Sequence, residues 1–347
     1  NGHTLKGAIF NLQNQEGINI RTNLTTDENG QISLNDLAPG DYQFIETKAP
    51  EGYELDETPV KFTIVVGQKE AIKIEKVNIA TPGSVILTKK DSQSGHVLKG
   101  AIFNLQNQEG INIRTDLTTD ENGQISLNDL APGDYQFIET KAPEGYELDE
   151  TPVKFTIVVG QKEAIKIEKV NIATPGSVIL TKKDSQSGHV LKGAIFNLQN
   201  QEGINIRTDL TTDENGQISL NDLAPGDYQF IETKAPEGYE LDETPVKFTI
   251  VVGQKEAIKI EKVNIATPGS VILTKKDSQS GHVLKGAIFN LQNQEGINIR
   301  TDLTTDENGQ ISLNDLAPGD YQFIETKAPE GYELDETPVK FTIVVGQ

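Results

Sequence analysis

The chain has 347 residues, a net charge of −21 at pH 7, and no cysteine, methionine or tryptophan. Without cysteine it can form neither a disulfide framework nor a thiolate metal site. The acidic balance opposes binding to nucleic acid or to an anionic membrane surface, and no apolar run approaches the roughly 18 residues of a membrane span. We therefore expect no nucleic-acid partner and no membrane insertion.

The sequence is one unit written almost four times. Residues 94–186 recur unchanged as 187–279 and again from residue 280 onward. The first copy differs from the second only in having Asn1 for Ser94, Thr4 for Val97 and Asn23 for Asp116. A fixed period of 93 residues is typical of a tandem array in which each repeat has its own small core.

The period also predicts the domain boundaries. We expect complete repeats at 84–171 and 177–264, a repeat at 1–78 that lacks its first strand, and a repeat at 270–347 that lacks its last. Because both end repeats are interrupted, we expect the sequence to be a segment of a longer protein.

Within the repeat 84–171, apolar and polar side chains alternate in short runs. Alternation predicts strands, because successive side chains of a strand point to opposite faces of its sheet. The predicted strands are 85–90, 101–105, 111–115, 124–127, 135–140, 152–159 and 163–170. Seven short strands without any helical period favour an all-β fold, an antiparallel β-sandwich, with Val159 among the inward residues of the sixth strand.

The acidic segment 120–123, Asp-Glu-Asn-Gly, separates the third and fourth predicted strands. Asn and Gly tolerate the left-handed backbone of a tight hairpin turn, whereas the repeated acidic ligands of an EF-hand loop are missing. Each repeat has a single histidine in a polar turn, which predicts a solvated side chain and no metal site. These histidines are His3, His96, His189 and His282.

Three polar residues fall where the alternation predicts the inner face: Lys89, Glu139 and Asn171. Burial disfavours charge, so it lowers the pKa of a lysine and raises that of a glutamic acid. A neutral lysine amine can attack a side-chain amide that a protonated carboxyl polarises, and ammonia then leaves. If the three meet, the product is an intramolecular Lys–Asn isopeptide bond, formed without metal or cofactor.

Each of the three residues also has an ordinary interpretation. Lys89 can be a strand-edge lysine with its ammonium in water. Glu139 can be an edge acid that pairs with Lys141, and Asn171 can be a turn residue that ends a strand.

Several stretches resemble the CnaB-type (SpaA-like) domains of Gram-positive surface adhesins and pilins. They are 85–91 (VILTKKD), 98–105 (LKGAIFNL), 120–123 (DENG), 130–135 (LAPGDY) and 138–146 (IETKAPEGY). The last resembles the E-box of that family and implies that Glu139 is the catalytic glutamate. By the same residue-wise correspondence, the resemblance implies that Lys89 is the reactive lysine and Asn171 the acceptor amide. The resemblance implies a prealbumin-like, inverse immunoglobulin-like Greek-key sandwich in every repeat, with spontaneous isopeptide formation.

By period, the second complete triad is Lys182, Glu232 and Asn264. The first repeat has Glu46 and Asn78 without a lysine, and the last has Lys275 and Glu325 without an asparagine, so two bonds are predicted. One residue departs from the pattern: Lys169 shares the face of Asn171, where an apolar residue would be more comfortable. We expect Lys169 to lie at the open edge of the sandwich.

The resemblance implies a structural stalk segment of a cell-wall-anchored, extracellular adhesin, and no enzyme acting on an external substrate. The repeats then need no partner, and a host matrix protein would bind a tip domain outside this sequence. Two alternatives stay open: repeats that themselves bind host matrix, and the backbone of a sortase-built pilus.

Overall fold

The computed structural model describes residues 2–346, and every regular element among them is a β-strand. No helix long and apolar enough to cross a membrane occurs in this range. The chain divides into two compact units, residues 1–174 and 175–347, each of which contains two repeats.

The first unit contains eleven strands. The first four belong to the first repeat and the other seven to the complete repeat that follows. They are β1 (Ile9–Asn14), β2 (Asn19–Thr25), β3 (Gly40–Lys48), β4 (Val60–Ile64), β5 (Gly83–Asp91), β6 (Ile102–Asn107), β7 (Asn112–Thr118), β8 (Gln124–Leu130), β9 (Gly133–Lys141), β10 (Val153–Ile157) and β11 (Ile165–Asn171).

The second unit repeats the seven-strand pattern and then continues into the last repeat. Its strands are β12 (Gly176–Asp184), β13 (Ile195–Asn200), β14 (Asn205–Thr211), β15 (Gln217–Leu223), β16 (Gly226–Lys234), β17 (Val246–Ile250), β18 (Ile258–Asn264), β19 (Gly269–Thr274), β20 (Ile288–Asn293), β21 (Asn298–Thr304), β22 (Gln310–Leu316), β23 (Gly319–Lys327) and β24 (Val339–Ile343).

Each complete repeat is a sandwich of two sheets. In the first, a four-stranded sheet has the order β10-β9-β6-β7 and a three-stranded sheet has the order β11-β5-β8. Both sheets contribute to one apolar core, which includes Leu87 and Ile125 from the smaller sheet and Phe103, Phe137 and Phe155 from the larger. Phe137 stacks on Phe155 and meets Phe103 edge to face, so aromatic rings fill the space between the sheets. The predicted fold class is confirmed.

The first and last strands of the repeat pair in parallel, and here the expectation of a purely antiparallel sandwich was wrong. β11 runs beside β5 from the pair Ile165–Val85 to the pair Asn171–Asp91. The chain reaches β11 by crossing over from β10 in the other sheet, so it enters in the same direction as β5. This pairing brings the two ends of the repeat's chain to adjacent strands.

Two local expectations also need correction. The turn at 120–123 forms, with the Gly123 N–H donating to the Asp120 carbonyl at 2.8 Å, but it joins β7 to β8 across the two sheets and closes no hairpin. Gly123 adopts φ 72°, which explains the glycine at that position. Val159 lies beyond the end of β10 and is 43% exposed, because the chain has already left the sheet.

Candidate functional site

Lys89 lies on the inner face of β5. Every second residue of this strand is buried, so Val85, Leu87, Lys89 and Asp91 all point toward the core. Lys89 is 0% exposed, and its Nζ has no hydrogen-bond partner among the described residues. The ordinary interpretation, a lysine whose ammonium reaches water, does not fit this geometry. A buried amine without a hydrogen-bond partner is costly when it is charged.

Glu139 faces Lys89 from the opposite sheet. It lies on β9, paired across the strands with Phe103, and it is 0% exposed. Its Oε2 is 3.6 Å from Lys89 Nζ, which is close enough for charge attraction but beyond hydrogen-bond geometry. Its Oε1 accepts the backbone N–H of Asp149 at 3.2 Å. The two oxygens of one carboxyl group therefore have different surroundings.

Asn171 ends β11 and is 1% exposed. Its Nδ2 donates to Glu139 Oε1 at 3.0 Å and to the backbone carbonyl of Glu147 at 2.9 Å. Because a carbonyl oxygen can only accept, the Glu147 contact fixes the orientation of the amide. Glu139 Oε1 then accepts two N–H groups, which leaves Oε2 as the oxygen that faces the amine.

The electrostatics make both buried lysines easier to deprotonate than an ordinary lysine. The pKa of Lys89 is lowered to about 8 from its ordinary 10.5, mainly by burial. The attraction of Glu139 opposes this change, and the positive charge of Lys169 contributes to it. Lys182 behaves alike: burial lowers its pKa to about 8, Glu232 opposes the change, and Lys262 reinforces it. About a tenth of each buried lysine is thus an unprotonated nucleophile at pH 7, and the fraction rises with pH.

The second complete repeat buries the same three side chains and repeats the hydrogen bonds of the asparagine. Lys182 and Glu232 are 0% exposed and Asn264 is 1% exposed. Asn264 Nδ2 donates to Glu232 Oε1 and to the Glu240 carbonyl, both at 3.0 Å.

The end repeats each hold part of the triad. In the first repeat, Asn78 Nδ2 donates to Glu46 Oε1 at 3.0 Å. In the last repeat, Lys275 Nζ is 3.4 Å from Glu325 Oε2, but its side chain is 25% exposed. The strand β11 that covers Lys89 in a complete repeat has no counterpart beside Lys275 among the described residues, which accounts for this exposure.

Sequence reasoning missed a hydrogen bond between the first strand and the E-box. Tyr146 donates its hydroxyl to Asp91 Oδ2 at 2.6 Å, and burial together with that contact raises the pKa of Tyr146. The neighbouring Glu147 supplies the carbonyl that holds the Asn171 amide. The inward position of Asp91 on β5 was the available signal, since a buried carboxylate needs a donor.

The expectation for Lys169 was wrong. Lys169 is only 7% exposed and does not lie at an open edge. Its Nζ donates to the Thr151 carbonyl at 2.8 Å and pairs with Asp149 Oδ2 at 3.2 Å. The loop that follows β9 covers this position and supplies the partners that make a buried lysine tolerable.

The fold and the buried Lys, Glu and Asn side chains define a tandem β-sandwich repeat protein. Four segments, 1–79, 83–172, 176–265 and 269–347, match the family described as SpaA, the prealbumin-like fold domain. The chain belongs to this family, as the resemblance of its motifs indicated.

Individual relatives are distant. Serine-aspartate repeat-containing protein D of Staphylococcus aureus is 25% identical over 386 residues, which cover 93% of this chain and 28% of that protein. Among solved structures, the TIE protein of Bacillus anthracis is 26% identical with a TM-score of 0.42, covering 98% of this chain and 66% of that one. BcpA, the major pilin subunit of Bacillus cereus, is 22% identical with a TM-score of 0.32, covering 75% and 95%. The chain spans about a quarter of the length of the curated relative.

Proposed function

We propose that this chain is a stalk segment of a cell-wall-anchored surface adhesin of a Gram-positive bacterium. Each complete repeat is locked by an isopeptide bond that forms by itself between Lys89 and Asn171, and between Lys182 and Asn264. The observation that carries the proposal is the convergence of a buried amine and a buried amide on one buried carboxyl group, between the first and last strands of the repeat.

The reaction needs only these three side chains. Neutral Lys89 Nζ attacks Asn171 Cγ, a new C–N bond forms, and the bond from Cγ to Nδ2 breaks. One proton leaves Nζ and one reaches Nδ2, which departs as ammonia. Glu139 lies between the two nitrogens, 3.6 Å from Lys89 Nζ and 3.0 Å from Asn171 Nδ2. It carries that proton, so its own protonation state is the same before and after. The chemistry is a single turnover, and the chain is no enzyme in the ordinary sense.

The position of the bond suits a stalk. Tension enters a repeat at the start of β5 and leaves it after the end of β11. β5 and β11 are parallel neighbours, and the bond joins Lys89, near the end of β5, to Asn171, at the end of β11. Load then passes from β5 directly into the linker, and the residues between Lys89 and Asn171 carry none of it.

Intact mass spectrometry of the folded chain tests the chemistry. We expect a mass lower than the sequence mass by two ammonia molecules, and tandem spectra that join the Lys89 peptide to the Asn171 peptide. E139Q loses one ammonia and E139Q/E232Q loses none, while the control E46Q/E325Q still loses two. A folded wild-type chain at full sequence mass rules out the bond.

The stalk role has a separate test. Immobilised matrix proteins titrated with the chain should show no saturable binding, because a spacer has no ligand of its own. Saturable binding would favour repeats that themselves grip host matrix.

A further inference from the structure

Lys169 and Asp149 form a charged pair immediately beside the proposed reaction centre. Lys169 is the register partner of Lys89 in the parallel pairing of β11 with β5. Side chains of register partners point to the same face of a sheet, on strands about 4.8 Å apart. Lys89 and Lys169 are both buried there, 0% and 7% exposed. Two buried lysines are thus neighbours on the same face of the smaller sheet.

Asp149 connects this pair to the carboxyl of the triad. Its backbone N–H donates to Glu139 Oε1 at 3.2 Å, while its carboxylate lies 3.2 Å from Lys169 Nζ. The Thr151 backbone N–H and side chain, and then Lys169, lower the pKa of Asp149 to about 2, so it is ionised at all physiological pH values. Lys169 also donates to the Thr151 carbonyl. These contacts hold the Lys169 ammonium in a fixed position near the triad.

The second complete repeat reproduces every contact. Lys262 is 7% exposed, pairs with Asp242 at 3.3 Å and donates to the Thr244 carbonyl at 2.8 Å. The Asp242 N–H donates to Glu232 Oε1 at 3.4 Å.

We propose that Lys169, held by Asp149, is a positioning residue that opposes protonation of Lys89 and so sets the pH at which the isopeptide bond forms. The inference rests on the proposed bond. A fixed positive charge beside Lys89 opposes protonation of its amine, whereas the Asp149 carboxylate favours protonation and partly offsets Lys169. The same arrangement assigns this role to Lys262 and Asp242 in the other complete repeat.

The other charged groups around Lys89 are few. Glu139 faces it from β9, and Asp91 lies two residues along β5 on the same face, already occupied by the Tyr146 hydroxyl. Lys169 from β11 and Asp149 from the loop after β9 complete the set that acts on Lys89. Glu139 takes part in the reaction itself, which leaves Lys169 and Asp149 as the pair that can be changed without removing a reacting group.

The experiment measures the rate of bond formation against pH. Unreacted chain, recovered unfolded in urea at full sequence mass, is diluted into buffers from pH 5 to pH 10 and quenched in acid at intervals. Intact mass then reports the ammonia lost. Because the two complete repeats have the same sequence, variants are made in both.

Two variants should move the midpoint of the rate profile in opposite directions. K169M/K262M removes the cation and leaves the Asp149 carboxylate uncompensated, so we expect the midpoint to rise by about one pH unit. The rate at pH 7 then falls about tenfold, with an unchanged plateau at high pH. D149N/D242N leaves the cation uncompensated and should lower the midpoint. K169R/K262R keeps the charge and should keep the wild-type midpoint.

A purely structural role for Lys169 would lower the plateau rate and leave the midpoint in place, and that result overturns the inference. If K169M/K262M does not refold, the Asn and Arg variants still decide, because an unmoved midpoint in D149N/D242N also overturns it. Wild-type chain that never loses ammonia would instead remove the proposed bond itself. The two failures are therefore distinguishable.

Discussion

Single molecules of the E139Q/E232Q variant should extend further under force than the wild type, in which the isopeptide bonds prevent the crosslinked segments from extending. Glu139 lies 3.6 Å from Lys89 Nζ and accepts from Asn171 Nδ2, and Glu232 accepts from Asn264 Nδ2. Glutamine in place of either residue cannot carry the proton. Neither bond then forms. The core residues of the two repeats stay the same, so the variant is expected to fold and to differ from the wild type mainly in its covalent connections.

The additional extension follows from the positions of the bonded residues. Lys89 and Asn171 are 82 residues apart in sequence and lie on adjacent strands. An extended chain spans at most about 3.5 Å per residue, so unlocking one repeat releases about 280 Å. With two complete repeats, each variant molecule should show two unfolding events of about that length that are absent from the wild type.

Force spectroscopy with handles at both ends of the chain measures these events directly. The end repeats unfold in both proteins, and they provide an internal reference. E46Q/E325Q is the matched control, because it changes the same carboxyl where no complete triad exists, and it should add no event. Wild-type traces with the same number of 280 Å events as E139Q/E232Q would refute the reasoning.

Three further predictions concern stability. Closing an 82-residue loop stabilises a repeat by about 4.5 kcal/mol in the chain-entropy estimate. In urea unfolding, the free energy of unfolding per complete repeat should therefore fall by about 4.5 kcal/mol more in E139Q/E232Q than the last repeat loses in E325Q. Equal losses in the two variants contradict this prediction. The second prediction uses N171A/N264A, which keeps both lysines but forms no bond. The pKa of Lys89 is about 8 in the folded chain and 10.5 for the ordinary group, so the unfolded chain binds more protons than the folded chain between these pH values. The free energy of unfolding should therefore rise from pH 8 to pH 10.5, by up to about 3 kcal/mol per repeat, and the slope should vanish when K89M/K182M is added. In the N171A/N264A background, Y146F/Y239F leaves the buried Asp91 and Asp184 carboxylates without their hydroxyl donors. Thermal unfolding should show a loss of about 2 kcal/mol in stability per repeat. Y332F changes a tyrosine that is 42% exposed and should cost clearly less.

The sequence alone determined the architecture, because the information is local and repeated. The 93-residue period defined the repeats, and alternation along β5 and β9 put Lys89 and Glu139 on inner faces before any coordinates were known. A period-2 pattern is a property of neighbouring residues in the chain, and a one-residue shift would have moved both side chains to solvent.

Only the tertiary structure decided which groups meet and how each buried charge is compensated. The parallel pairing of β5 with β11 depends on a crossover between sheets, which alternation cannot reveal. The partners of Lys169 come from a loop without periodic pattern, 18 and 20 residues earlier in the chain, so sequence reasoning left Lys169 at an edge. Which oxygen of Glu139 faces the amine likewise follows from donors on two separate segments, Asp149 and Asn171, because a hydrogen bond depends on distance in space and not on separation along the chain.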